Sequence, residues 1–126
     1  MSLAARIQQK LTQNLYELYF EEFDEKIYLA PLTVEQRSKV QKQKDETKSQ
    51  IQAFTLCAFD AEGKPAATEA EAKALPDTVV GISTAIIMLL TQGAKHDTID
   101  KFVASYNAEI NPDIPDIDEE ELNPNQ

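Results

Sequence analysis

Asp77-Thr78-Val79-Val80-Gly81-Ile82-Ser83-Thr84-Ala85-Ile86-Ile87-Met88-Leu89-Leu90-Thr91-Gln92-Gly93 is the stretch that decides the fold class. Asp77 offers a side-chain cap and Gly93 a stop, so the pattern predicts a helix over 78–92. Val79, Val80, Ile82, Ala85, Ile86, Ile87, Met88, Leu89 and Leu90 spread over almost its whole circumference. A helix apolar on nearly all sides is buried on nearly all sides. In a chain of 126 residues, that leaves a central helix or one completed by a neighbouring subunit. The longest fully apolar run, Ala85 to Leu90, is far short of the roughly 20 residues that a membrane span needs.

Outward from this helix, short elements follow. Upstream, Thr68-Glu69-Ala70-Glu71 is a capping box that opens a helix ending near Leu75, before Pro76. Phe59-Asp60-Ala61-Glu62-Gly63-Lys64-Pro65 reads as a turn in which Gly63 takes positive φ. Its glycine is the fourth residue from Asp60 instead of the sixth, so it is not a calcium loop. Downstream, Asp97 is the expected cap of a last helix carrying Ile99, Phe102, Val103 and Tyr106 at helical period.

The N-terminal third has a different texture. Leu3, Ile7, Leu11, Leu15 and Leu18 recur at helical steps, which predicts a helix from Leu3 to Asn14 with Ser2 as cap. Aromatic residues then become dense, and strands are expected near 17–22 and 26–30, joined around Asp24-Glu25. Pro31-Leu32-Thr33-Val34-Glu35-Gln36 is a second capping box, with Thr33 as N-cap. Gln41 to Gln50 contains no apolar residue, and apolar spacing resumes at Ile51, Phe54, Thr55 and Ala58. A single helix over 34–58 would extend roughly 37 Å, longer than a domain of this size. It therefore breaks near Asp45–Ser49, or its polar middle crosses solvent with pairs such as Lys42 and Glu46.

These readings make the chain mainly α, of α+β type. A single helical domain over 1–110 carries one short N-terminal β-hairpin, and an acidic tail over 111–126 is disordered. The charge supports the tail. The chain holds 12 Lys and Arg against 22 Asp and Glu, a formal net charge of −10. Seven acids and no base lie between Asn107 and Gln126: Glu109, Asp113, Asp116, Asp118, Glu119, Glu120 and Glu121. Residues 1–106 keep −3, from 15 acids against 12 bases. Such a balance argues against a nucleic-acid reader, which needs a basic face. Pro112, Pro115 and Pro124 interrupt the tail, whose Ile114, Ile117 and Leu122 are anchors for ordering on a partner.

The catalytic inventory is thin. His96 is the only histidine, expected in a loop between helices. Cys57 is the only cysteine, so no internal disulfide forms, and its apolar surroundings point to a buried, inert thiol. No phosphate-binding glycine motif is present, since Gly63, Gly81 and Gly93 stand far apart. No metal or cofactor site and no enzymatic activity are expected. Arg6, Gln8, Gln9 and Lys10 interrupt any secretory signal. The residues read as a binding or assembly module.

Three segments carry a resemblance. They are Phe23-Asp24-Glu25-Lys26-Ile27-Tyr28-Leu29-Ala30-Pro31-Leu32-Thr33-Val34-Glu35-Gln36-Arg37, the turn Phe59 to Pro65, and Thr68 to Pro76 followed by the apolar helix ending at Gly93. In this order and spacing, over about 15–93, the chain resembles the tail assembly chaperones of long-tailed phages and prophages. It departs from their pattern at Ala30, where an arginine is frequent, and at Ala66-Ala67, where an aromatic is usual.

The resemblance implies a non-enzymatic protein of the host cytoplasm, absent from the mature virion. It implies binding to the tape measure protein, recruitment of the major tail protein, self-association as a homo-oligomer, and no membrane or nucleic-acid partner. Many members exist in two lengths through a translational frameshift, and the acidic tail stands where such an extension attaches. Candidate partner-binding residues are Tyr28, Leu29, Leu32, Ile82, Ile86, Ile87 and Leu90, with Ile114, Ile117 and Leu122 in the tail. The alternative is an acidic DNA mimic that blocks a basic partner; it needs acids spread over a folded face, whereas seven of them lie in the tail.

Overall fold

The computed structural model describes residues 2–110, with side chains through Ala108. The described residues fall into two compact units, divided between Ala94 and Lys95. The described elements are mainly helical with one small sheet, as expected. The disordered-tail reading of 111–126 lies outside the described residues.

The first unit opens with α1 (Leu3–Thr12), two residues shorter than its apolar spacing implies. Ser2 caps it, its Oγ accepting from Ala5 N at 3.1 Å. Strands β1 (Tyr16–Phe20) and β2 (Glu25–Leu29) pair antiparallel, Tyr16 facing Leu29 and Phe20 facing Glu25. The hairpin turn lacks glycine, and Asp24 itself takes a positive φ of 54°. A short polar side chain tolerates that conformation better than most. Along β1 the period-two alternation places Tyr16 and Leu18 inward and Glu17 and Tyr19 outward.

Helices α2 (Val34–Gln41) and α3 (Glu46–Cys57) replace the single long helix that 34–58 permitted. The break is at 42–45. Lys42 is the C-cap of α2, and Asp45 caps α3 by accepting from Lys48 N at 3.1 Å. Lys42 and Glu46 therefore fall on opposite sides of the break and form no pair within one helix. Ser49 Oγ donates to Val40 O at 3.3 Å, and Gln43 Nε2 donates to Gln52 Oε1 at 3.1 Å, closing the elbow. The polar run 41–50 is the outside of a corner. The Thr33 capping box is complete: Gln36 N donates to Thr33 Oγ1 at 3.1 Å and Thr33 N donates to Gln36 Oε1 at 2.9 Å.

A third strand, β3 (Ala58–Phe59), was not expected. It pairs with β2, Tyr28 opposite Phe59 and Leu29 opposite Ala58, and makes the sheet order β1-β2-β3. The turn behind it is the expected one. Asp60 Oδ1 accepts from Glu62 N at 2.8 Å and Lys64 N at 3.0 Å, and Gly63 sits at φ 83°. Ala66 N then donates to Ala58 O at 2.8 Å.

The short α4 (Glu69–Lys73) has the expected capping box on Thr68 and Glu71. The next helix, α5, runs Asp77–Thr91. Asp77 is its first helical residue; Pro76 occupies the cap position and gives no side-chain bond. That corrects the expected cap. Gly93 (φ 93°) ends the helix in a Schellman arrangement, with Ala94 N donating to Leu89 O at 2.9 Å and Gly93 N to Leu90 O at 3.0 Å.

The core of this unit lies between the sheet, α3 and α5. Leu18, Leu29, Phe54, Cys57, Ala58, Val80, Ile82, Ile86 and Ile87 are all buried. Ser83 is buried too, and its Oγ donates to Val79 O at 2.7 Å, so no polar group is stranded there.

The second unit contains α6 (His96–Ile110). His96 and Asp97 lie inside its first turn, which corrects both the loop position expected for His96 and the cap expected of Asp97. Phe102 and Tyr106 lie one turn apart, their ring centroids 6.1 Å from each other and their planes tilted by 39°.

Candidate partner-binding surface

Of the apolar residues proposed for partner contact, Leu29, Leu32, Ile82, Ile86 and Ile87 are buried, whereas Tyr28, paired with Glu17, lies on the outward face of the sheet. Leu29 ends β2, Leu32 follows it, and α5 packs along β2. Leu32 N donates to Thr91 Oγ1 at 2.9 Å, and Thr91 Oγ1 donates to Ile87 O at 2.7 Å. The strand-to-helix connection is thereby fastened to the last turn of α5. Leu29, Ile86 and Ile87 have no exposure at all, and Leu32 and Ile82 are buried. Their apolar area is used within the fold of one chain. Of this set only Tyr28 and Leu90 stay half-buried. Ile114, Ile117 and Leu122 lie outside the described residues.

The exposed apolar surface is elsewhere. α1 buries no residue. Leu3, Ile7 and Leu11 are 64%, 49% and 43% exposed along one stripe of it. At 100° per residue these three fall within a narrow arc, with Lys10 and Arg6 along one edge. α1 contains no acid. At the β1–β2 turn, Tyr19 and Phe23 are 47% and 46% exposed among Glu21, Glu22, Asp24 and Glu25. Tyr19 OH donates to Asp24 Oδ1 at 2.9 Å. That bond, then burial and the nearby Glu21 carboxylate, raise the Tyr19 hydroxyl above its usual pKa. On the outward sheet face Lys26 Nζ reaches Glu17 Oε2 at 3.7 Å.

The sequence shows the α1 stripe as apolar residues at steps of four, but not that it stays uncovered. The α1 stripe sits beside Arg6 and Lys10 with no acid in the helix, and the turn aromatics sit among Glu21, Glu22, Asp24 and Glu25, with Lys26 opposite Tyr19.

Cys57 is buried at the end of α3. Its Sγ lies 3.7 Å from both Pro31 O and Gln36 Oε1, either of which can accept its single proton, and burial pushes the thiol up to about 12. A thiol so protonated is a poor nucleophile at neutral pH. Among the described residues, no group of three or more His, Cys, Asp or Glu side chains is arranged to hold a metal ion. No helix among them is long and apolar enough to cross a membrane.

Comparison of the chain with protein-family models, curated proteins and solved structures gives no match.

Proposed function

We propose that this chain is a non-enzymatic tail assembly chaperone of a long-tailed phage or prophage. It acts in the host cytoplasm, binds the tape measure protein and helps recruit the major tail protein. The observation that carries the reading is the order of the three family-like segments and their contact in one folded unit. The segment 23–37 supplies β2 and the start of α2. The turn 59–65 adjoins it through Tyr28 opposite Phe59. The segment 68–93 adjoins it through Leu32 N on Thr91 Oγ1.

In this reading the chaperone covers an apolar client helix by burying apolar area, at about 25 cal/mol per Å² removed from water. α5 is a core helix, so of the expected contact residues among those described, Tyr28 and Leu90 are the ones left for the client, beside Ile114, Ile117 and Leu122 of the tail. The negative charge of the chain keeps the loaded complex in solution.

Co-expression with the tape measure protein of the same phage tests it. Soluble client that co-purifies with this chain is the expected result. An insoluble client with no co-purification overturns the proposal.

A further inference from the structure

We propose that the outer edge of β1 takes up an extended segment of a partner protein as a further, antiparallel strand, one that alternates lysine or arginine with apolar residues. The inference goes beyond the chaperone reading and does not rest on it.

The two edges of the sheet differ. The outer edge of β3 is occupied by the chain itself. Ala66 N donates to Ala58 O and Asp60 N donates to Lys64 O, each at 2.8 Å, and Phe59 bridges to Pro65. The outer edge of β1 has no such cover, and the ladder fixes which groups point there. Ala30 N donates to Cys57 O at 3.0 Å, so Ala30 and, two residues earlier, Tyr28 turn their backbone groups toward β3. Ile27 and Leu29 therefore turn theirs toward β1, where they face Leu18 and Tyr16 in an unbroken register. Tyr16, Leu18 and Phe20 give their backbone groups to β2. Glu17 and Tyr19 keep an N–H and a C=O each, pointing out of the sheet. Among the described residues no hydrogen bond reaches those backbone groups, and both residues are exposed.

Natural edge strands are often blunted by a bulge, a proline or a lysine. β1, Tyr16-Glu17-Leu18-Tyr19-Phe20, has none of these and pairs in regular register. Such an edge is a template for another strand, whose backbone bonds supply affinity and whose alternate side chains supply specificity.

The side chains of an added strand alternate between the two faces of the sheet. On the inner face they come beside the buried Leu18 and the half-buried Phe20, which suits apolar residues. On the outer face they come beside Glu17 and Tyr19. Lys26 stands opposite Tyr19 on β2, on the far side of β1 from the added strand, and its Nζ lies 3.7 Å from Glu17 Oε2. The second carboxylate oxygen of Glu17 remains for a cation on the edge side. Over 16–29 the hairpin holds Glu17, Glu21, Glu22, Asp24 and Glu25 against Lys26 alone. Basic residues are the match for the outer face, and a second acidic hairpin is a poorer one, because like charges on adjacent strands repel. In antiparallel pairing the basic residues stand directly opposite Glu17 and Tyr19 and exchange both backbone bonds with them.

Amide hydrogen exchange on the full chain, followed by NMR, tests this with an end-blocked peptide alternating lysine and valine. In the chain alone the Glu17 and Tyr19 amides should exchange fast and that of Leu18 slowly. Saturating peptide should slow Glu17 and Tyr19 by about tenfold or more. The same peptide with its lysine amides N-methylated, or with glutamate in place of lysine, should leave both unchanged. Tyr19→Pro removes an edge-facing N–H that the β1–β2 ladder does not use. It should keep the protection of Leu18 and bind the peptide about tenfold more weakly. Glu17→Gln, which leaves the backbone intact, should weaken binding about threefold. If Tyr19→Pro unfolds the hairpin, Glu17→Gln and the methylated peptide decide. Glu17 and Tyr19 amides that are already slow in the chain alone overturn the proposal, because the edge is then taken: by a second copy where protection falls on dilution, by the chain itself where it does not. So does a lysine–valine peptide that leaves both amides fast, equal protection by the methylated or the glutamate peptide, or wild-type affinity in either variant that keeps Leu18 protected.

Discussion

α1 and α5 both present apolar residues at helical spacing, yet the first buries nothing and the second is embedded in the core. The difference is the width of the apolar surface. α5 is apolar around most of its circumference, so every orientation exposes something unless the chain wraps it, and α3 and β2 do so. α1 has one narrow stripe of three residues, which the sheet and the other helices leave uncovered. Periodicity therefore tells that a helix has an apolar face. It does not tell whether this chain covers that face.

The sharpest way to break the contrast is one substitution on each helix. Ile86→Ala in α5 removes three carbons from a site with no exposure and should cost about 2–5 kcal/mol of unfolding free energy. Ile7→Ala in α1 should stay within about 0.5 kcal/mol, since the residue is half exposed and alanine is the better helix former. Urea melts of the two variants at low protein concentration check both. Equal losses would mean that α1 is held against the core in solution.

The same contrast marks what was legible in the sequence. Ser2, Thr33 and Thr68 act as caps as read, because a cap is a contact between residues three apart and needs no tertiary partner. The hairpin was legible from its aromatic density, and its strands were displaced by only a residue or two. β3 was not, because two residues after a helix carry no period and only their pairing with β2 makes a strand. The break at 42–45 was half legible. Asp45 is an ordinary N-cap, but inside ten polar residues nothing singles it out. The expected binding residues failed to stay on the surface for a related reason. Leu29, Ile86 and Ile87 are the most apolar positions of their segments, and the strongest apolar signal goes first to the core.

A second test lies at the buried end, in the alkaline range. Cys57 has its thiol raised from 9.0 to about 12 by burial. The folded state therefore keeps a proton that the unfolded chain gives up. Its contribution to stability is whole below pH 9.0 and is lost as pH climbs toward about 12. The slope approaches about 1.4 kcal/mol per pH unit for one proton. Urea midpoints from pH 8 upward should fall less steeply for Cys57→Ala than for the wild type. The native thiol should also resist a water-soluble disulfide reagent at pH 8 and react once the chain is unfolded.

Caps extend the comparison to smaller energies. Thr33→Ala removes one half of a capping box on α2, next to the buried Leu32, and should lower global stability by about 1 kcal/mol. Ser2→Ala removes an equivalent bond from α1. Because α1 buries nothing, that loss should appear as fraying of the helix and not as a shift of the melt. Amide hydrogen exchange separates the two: α1 amides should exchange faster in Ser2→Ala while those of α5 keep their rates.

The smallest effect is expected at the hairpin turn. Tyr19→Phe deletes the hydroxyl that donates to Asp24 Oδ1 and leaves the ring in place. The bond is exposed, so water replaces it at little cost, and the loss should be below about 0.5 kcal/mol. What changes is the turn itself. Asp24 holds a positive φ, and the hydroxyl helps to keep its side chain turned toward β1. In Tyr19→Phe the amides of Phe23 and Asp24, which donate to Phe20 O and Glu21 O, should exchange faster, with no change at Leu18 or Leu29. If the disturbance spreads to those buried strand positions, the turn and the core form one cooperative unit, and the separation between covered and uncovered surface does not extend to the hairpin.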